Sequence, residues 1–275
     1  MLCFLYITTT LLFLAQHHHQ AFSTSTFVYA GCSPSKFPEN SQYQTNLNSL
    51  FSSIATTASH AIYNSFTTGT DSPPGNAVYG LYQCRGDLDT PSCASCIQNG
   101  IAQLSLVCAY AFSASLQLDS CFIRYSNNNF LGQNDTNLAY RRCSTSTSSD
   151  ADFVRRRDDV LADLQSGDGF RVTSSGLVQG YAQCIGDLAT TDCTTCLAEA
   201  VSQLRNSCGS AKAADVYLAQ CYARYWASGY YFHSPAEYSD EDIGRTVAII
   251  VGVLAGLALF VVFISFFKRT SSKGN

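Results

Sequence analysis

Between Asn40 and Phe66 apolar residues recur every three or four positions, through Tyr43, Leu47, Leu50, Phe51, Ile54, Ala58 and Ile62. That is the period of a helix with one face against a core. Turn residues, Asp71-Ser72-Pro73-Pro74-Gly75, close the segment. From Val78 to Cys84 apolar positions alternate with small or polar ones, which predicts a strand with two distinct faces. Helical spacing returns through Cys93, Cys96, Ile97, Ile101, Leu104 and Cys108. Leu116 to Tyr125 then alternates as a strand with Leu116, Leu118, Phe122 or their neighbours inward, and Phe130-Leu131 is expected to add a short last strand. The same order follows a second time. Phe153, Val160, Leu161 and Leu164 mark a helix, and Gln179–Cys184, Cys193–Cys208 and Val216–Trp226 repeat strand, helix, strand. Eleven residues fewer separate Cys143 from Cys184 than Cys32 from Cys84, so the second copy of the first helix is expected to be shorter.

Two apolar runs at the ends stand outside this order. Leu2 to Ala15 has the length of a signal-peptide core, although no Lys or Arg precedes it, and Ala21-Phe22-Ser23 offers the small residues of a cleavage site. Residues 1–25 are read as a removed leader, and the His17-His18-His19 tract, which invites a metal-binding reading, leaves with it. Val247 to Phe267 is an uncharged apolar run, long enough to cross a hydrocarbon core of about 30 Å at about 1.5 Å per residue. Asp240, Glu241 and Asp242 precede it and Lys268-Arg269 follow, which puts the C-terminus in the cytoplasm. The expected layout is a type I, single-pass membrane protein. Outer domains at 26–133 and 143–236 flank a linker at 134–142, and a juxtamembrane stretch 237–246 leads to the span 247–267 and a tail 268–275. So short a tail leaves no room for a catalytic domain. In the span Ala248, Gly252 and Gly256 share one helix face, where small residues let another helix approach closely. Association with itself or with related membrane proteins is expected there.

Cysteine spacing explains why the element order repeats. Cys84, Cys93, Cys96, Cys108 and Cys121 reappear with the same intervals at Cys184, Cys193, Cys196, Cys208 and Cys221, one hundred positions on. Cys32 precedes the first string and Cys143 the second. Neighbouring residues repeat too: Gln83-Cys84-Arg85-Gly86-Asp87-Leu88 matches Gln183-Cys184-Ile185-Gly186-Asp187-Leu188, and Cys121-Phe122-Ile123-Arg124-Tyr125 matches Cys221-Tyr222-Ala223-Arg224-Tyr225. The chain is a tandem duplication, and the short separation of the copies implies domains packed together. A Cys-x-x-Cys pair such as Cys93/Cys96 or Cys193/Cys196 serves a redox dithiol, half a zinc site or a disulfide framework. No thioredoxin-like chain surrounds either pair, and zinc would require thiolates kept reduced outside the cytosol. An even six per domain favours bridges, with Cys93 and Cys96 facing different partners, and spacing does not choose among the pairings.

Charge narrows the partners. The net charge is −4, all acidic residues lie between Glu39 and Asp242, and Lys268, Arg269 and Lys273 cluster in the tail. The outer region is therefore acidic and carries no basic stripe, which argues against nucleic acid. Arg155-Arg156-Arg157 is balanced by Asp150, Asp152, Asp158 and Asp159 and reads as a solvated helix face. Three of the five histidines fall in the leader, and His60 and His233 lack a partner pattern, so no catalytic residue, metal site or cofactor is assigned and the chain is read as non-enzymatic. The group Tyr225, Trp226, Tyr230 and Tyr231 offers stacking surfaces for a carbohydrate, against ordinary packing in a sheet.

With these strings in hand, each copy resembles the ginkbilobin-type antifungal domain of plants, also called the cysteine-rich receptor-like secreted domain, over residues 27–129 and 143–233. Leader, two such domains, one span and a short tail together resemble the plasmodesmata-located protein family. The resemblance implies an α+β fold, two helices on an antiparallel sheet of about five strands in each domain. It implies the pairs Cys32 with Cys108, Cys84 with Cys93, Cys96 with Cys121, Cys143 with Cys208, Cys184 with Cys193 and Cys196 with Cys221. It also implies a protein of the plasma membrane at plasmodesmata that modulates cell-to-cell traffic through callose deposition, with viral movement proteins and the callose-synthesis machinery as partners. A lectin-like receptor for wall polysaccharide or an antifungal defence protein is the alternative. Ginkbilobin itself uses an Asn directly after the first domain cysteine to bind mannose; Ser33 and Ser144 stand there in this chain and lack the amide.

Asn134-Asp135-Thr136 is an N-glycosylation sequon in a polar stretch outside the span. Glycosidase treatment of the protein from plant cells is expected to increase its gel mobility, and Asn134→Gln is expected to migrate at the treated position before treatment; identical mobility throughout would show the site empty.

Overall fold

A computed structural model describes residues 25–71, 74–166 and 169–229. The first copy runs β1 (Phe27–Cys32), α1 (Gln42–Thr57), β2 (Tyr63–Thr68), β3 (Val78–Cys84), α2 (Thr90–Val107), β4 (Ser113–Leu118) and β5 (Cys121–Ser126). The second runs β6 (Leu138–Cys143), α3 (Ala151–Gln165), β7 (Phe170–Ser175), β8 (Val178–Cys184), α4 (Thr190–Cys208), β9 (Ala213–Leu218) and β10 (Cys221–Ala227). Each copy forms one antiparallel five-stranded sheet, ordered β1-β4-β5-β3-β2 and β6-β9-β10-β8-β7. The architecture is the α+β fold expected, twice.

Local chemistry sets the helix starts. The Ser41 side chain accepts a hydrogen bond from the Gln44 amide, Asp89 accepts from Ser92 and Asp150 from Asp152, so three of the four helices have their first free amides capped. Pro91 sits in the first turn of α2, where its missing N–H costs no bond. The inward stripes Tyr43, Leu47, Leu50 and Ile54 of α1 and Cys93, Ile97 and Leu104 of α2 cover Val78, Tyr82, Leu116 and Ile123 of the sheet. Val160, Leu161 and Leu164 of α3 and Leu197, Val201 and Leu204 of α4 do the same over Val216, Ala223 and Tyr225. Tyr125 and Tyr225 occupy equivalent places, each donating its buried hydroxyl to a carbonyl, of Ala111 at 2.9 Å and of Ala211 at 2.8 Å.

The bridges join Cys32–Cys108, Cys84–Cys93 and Cys96–Cys121, then Cys143–Cys208, Cys184–Cys193 and Cys196–Cys221, the same pairs that the resemblance implies. In each domain all three end on the second helix. Cys93 and Cys96 are one turn apart on α2 and reach different strands, β3 and β5, while Cys108 at the helix end reaches β1. The helix is thereby held to the sheet at both ends.

Several expectations need correction. Helical spacing continues to Ile62, yet α1 stops at Thr57 and residues 63–68 form β2, whose Tyr-Asn-Ser-Phe-Thr-Thr composition suits an edge strand. Leu116 to Tyr125 and Val216 to Trp226 are each two strands, because Asp119-Ser120 and Ala219-Gln220 turn the chain into the β4–β5 and β9–β10 hairpins, and Phe122 faces away from the helices rather than inward. Phe130-Leu131 forms no strand; Phe130 is buried in the contact between domains. Residues 138–142, expected in the linker, belong to β6 of the second sheet. The first helix of the second copy is hardly shortened, 15 residues against 16. Most of the missing length is taken from the hairpin turn, residues 69–77 in the first copy and Gly176-Leu177 in the second. The leader, the span 247–267 with Ala248, Gly252 and Gly256, and the tail lie outside the described residues; among those described, no helix is long and apolar enough to cross a membrane.

Loop-closure entropy grows with the logarithm of loop length. Replacing Cys32 and Cys108 with Ala, which opens a separation of 76, is therefore expected to cost about 2 kcal/mol more than replacing Cys84 and Cys93, which opens one of nine. Denaturant unfolding of the two double variants measures the difference, and equal losses would contradict it.

Candidate functional site: the seam and the face beside it

A strand shows its residues alternately to two faces, and the helices cover only one face of each sheet. On the other face the first domain carries Tyr29, Leu81 and Phe122, joined by Phe130, and these meet Ile185 and Tyr217 of the second domain in one buried cluster. Tyr29 stacks on Tyr140 at 5.5 Å between ring centroids and meets Tyr217 edge-on at 5.7 Å. The two domains thus share a core of their own.

The repeated Gln-Cys-x-Gly-Asp-Leu string builds the polar half of this seam, in nearly two-fold fashion. The Gly186 amide donates to Gln83 Oε1 at 3.0 Å, and Gln183 Nε2 donates to the Cys84 carbonyl at 3.1 Å. Both glutamines are buried, and their other ends are satisfied as well, Gln83 Nε2 donating to the Cys84 carbonyl at 2.9 Å and Gln183 Oε1 accepting from the Tyr222 hydroxyl at 3.2 Å. Gly86 lies against Phe170 of β7 and Gly186 against Tyr63 of β2; a Cβ on Gly86 would fall 2.4 Å from a Phe170 atom and one on Gly186 2.7 Å from the Tyr63 ring. Arg85 pairs with Asp87 at 2.6 Å and lies 5.5 Å from the Tyr181 ring centroid, while the matching Ile185 fills the apolar cluster. A cavity of about 30 Å³ remains among Gln83, Gln117, Gln183 and Tyr222, the size of a single water. The connector is fastened here too, since Asp187 Oδ2 accepts from the Gly132 amide at 2.8 Å and Gln220 Oε1 from the Asp135 amide at 2.7 Å.

Beyond the seam the two outer faces differ. In the first domain a groove of about 310 Å³ opens over Ser33, Ser113, Ser115 and Ser126, with Arg124 and Phe122 in its wall. Arg124 lies 4.2 Å from the Phe130 ring centroid and 3.9 Å from Asp135; burial pulls its pKa down and the Asp135 carboxylate opposes this. In the second domain the Asp215–Arg224 ion pair, 2.8 Å apart, stands on the matching face with Tyr181 and Trp226. Burial pushes the Asp215 carboxyl above its usual value, against the pull of Arg224.

The remaining sequence candidates disperse. Tyr225 points into the core and Trp226 to the outer face, where it meets Tyr181 at 5.7 Å, so neighbours in sequence do not form one stacking surface; Tyr230 and Tyr231 lie outside the described residues. Arg155 and Arg156 are the solvated, Asp-paired cations expected, but Arg157 turns inward, is 9% exposed and donates to the Gly209 carbonyl. Asn134 is exposed on the connector, its amide 3.4 Å from Asp192. His60 is exposed in the turn after α1. The twelve cysteines among the described residues are all bridged within their domains, and the seam residues Gln83, Gly86, Gln183 and Gly186 were visible in the sequence as a mark of duplication rather than as a contact.

Two disulfide-clamped α+β domains, locked face to face by a repeated motif, define a tandem ectodomain rather than two separate modules. Residues 31–128 and 142–228 each match the family described as Salt stress response/antifungal. The chain is 52% identical over 249 residues to plasmodesmata-located protein 8 of Arabidopsis thaliana, covering 89% of each, and 43% identical over 286 residues to plasmodesmata-located protein 6 of the same plant, covering 98% and 99%. The crystal structure of the tandem DUF26 ectodomain of the Arabidopsis cysteine-rich receptor-like protein PDLP8 superposes with a TM-score of 0.72 at 54% identity, covering 75% of this chain and all of that one. The corresponding ectodomain of PDLP5 gives 0.70 at 43%, covering 74% and all of it. This chain belongs to the plasmodesmata-located protein family.

Gly86→Ala and Gly186→Ala introduce a methyl into a filled seam and are each expected to cost about 1–3 kcal/mol. In thermal unfolding that lowers the midpoint by about 2–4 °C per kcal/mol; an unchanged midpoint would mean that the two domains do not depend on this contact.

Proposed function

We propose that the protein is a receptor-like component of plasmodesmata, anchored by the span 247–267 with its paired domains outside, that modulates cell-to-cell traffic by promoting callose deposition. What carries this reading is that its ectodomain matches those of plasmodesmata-located relatives over their whole crystallised length. The acidic residues before the span and Lys268-Arg269 after it support the type I orientation. A sheet face closed by packing and bridged cysteines suit contact and recognition better than chemistry, so the action runs through extracellular and lateral protein contacts, with the callose-synthesis machinery and viral movement proteins as the partners to test. A fluorescent fusion to the full-length protein is expected to give junctional spots coincident with callose stain, and overexpression to slow the spread of a cell-to-cell tracer. Uniform plasma-membrane signal without such spots would refute the location.

The groove over Ser33, Ser113, Ser115 and Ser126 favours a second reading, in which the ectodomain binds a wall polysaccharide. Hydroxyl donors and acceptors beside a guanidinium and an aromatic wall suit a sugar. A glycan array probed with the ectodomain-bearing protein should then show saturable binding that Arg124→Ala weakens at least tenfold; an array without signal removes this reading and leaves the first standing.

A further inference from the structure

The duplication supplies an internal control for what the fold itself needs. Counting from Cys108 and Cys208, the exposed Leu106, Val107 and Tyr110 correspond to Asn206, Ser207 and Ser210. Leu106 is 81% exposed, Val107 54% and Tyr110 41%. Leu47 on α1 corresponds to Arg157 on α3, since Leu50 faces Gly80 as Val160 faces Gly180. In the second domain Arg157 is buried at this place and donates to the Gly209 carbonyl. In the first the same place is a groove of about 220 Å³ walled by Phe37, Leu47, Phe51 and Tyr110. One helix pair on one sheet thus folds with a polar end in the second copy and with an apolar end in the first, so the apolar end is not a requirement of the fold.

Backbone geometry points the same way. Tyr110 has φ +59°, a region that bulky residues avoid, whereas the second domain makes this turn with Gly209. An aromatic kept in a strained conformation at the surface is a mark of function.

Charge identifies the occupant. Lys36, whose Nζ donates to the Ala109 carbonyl at 2.8 Å, and Glu39, whose carboxylate lies at the Tyr110 hydroxyl, stand on the rim of the patch. Both are exposed, and neither forms an ion pair among the described residues. An apolar centre with one cation and one anion on its rim is self-complementary under a two-fold rotation, which sets Lys36 of each copy against Glu39 of the other. We infer that the end of α2 in the first domain, Leu106, Val107 and Tyr110 with Lys36 and Glu39, is the surface through which two copies of this chain pair side by side. Three exposed apolar residues make a small contact, weak between free molecules, and its occupancy rests on the proposed membrane anchor, which confines both copies and raises their effective concentration.

Energy transfer between two fluorescent labels on full-length copies in the plasma membrane tests the pairing. All arms carry Gly252→Leu and Gly256→Leu, so that contact between spans does not mask the outer domains. Grafting the second domain's residues, as Leu106→Asn, Val107→Ser and Tyr110→Ser, is expected to lower transfer to that of an unrelated membrane protein at equal density. Lys36→Glu and Glu39→Lys are each expected to lower it alone, and co-expressing one labelled with each variant is expected to restore it. Unchanged transfer in the graft overturns the surface. Loss in both charge variants without recovery in the mixed pair overturns self-pairing and leaves the patch to a different partner. Should both labels be found in the medium, the anchor fails instead, and light scattering of the secreted chain against concentration, wild type beside the graft, then reads the patch: a rise in mass lost in the graft supports it, and monomers throughout overturn it.

Discussion

A sheet has two faces, and the helices of this fold cover one. Everything distinctive in the molecule follows from how the other is treated. Tyr29, Leu81 and Phe122 would present an apolar surface to water on an isolated first domain, and duplication supplies the second domain that covers it. The disulfides serve the same geometry at a smaller scale. By tying each second helix to three strands they leave the domain few ways to rearrange, so the outer face keeps the shape that its partner must match.

The two copies share the seam and diverge away from it. Near the repeated glycine each domain supplies a glutamine and a close backbone approach. Farther out, the place of the serine-lined groove in one sheet is taken by an ion pair and an indole in the other. The helix ends diverge likewise, Leu47 against Arg157 and Tyr110 against Ser210. Selection for packing holds the first set of positions alike. The second set is free to specialise, and the first domain carries a groove on its outer face and another at its helix ends.

Much of the fold could be read from the chain. Cysteine spacing revealed the duplication, helical periodicity located the four helices, and alternation located β3 and β8, while the β4–β5 and β9–β10 hairpins each read as one strand. The edge strands β1, β2, β6 and β7 escaped because they are half exposed and do not sort polar from apolar residues by face, Phe27 of β1 and Leu138 of β6 being themselves exposed, so their alternation is faint. The hairpin turn at Asp119-Ser120 escaped because apolar Phe122 continues the count of Leu116 and Leu118, whereas the helix-facing set shifts by one to Cys121, Ile123 and Tyr125 and Phe122 falls on the opposite face. The seam was harder still. A repeated motif announces descent from one ancestor, and nothing in its letters says that Gln83 and Gly186 will meet across domains. That information lies in a three-dimensional pairing between segments a hundred residues apart.

The buried outer face has a diagnostic consequence. A solitary domain of this fold must remain soluble with that face in water, so it should carry polar residues where this chain has Tyr29, Leu81 and Phe122 and should tolerate a side chain where it has Gly86. Four positions on one surface would then tell, from a new sequence alone, whether a domain lives singly or as half of a pair, and whether it can be moved into another protein without its twin.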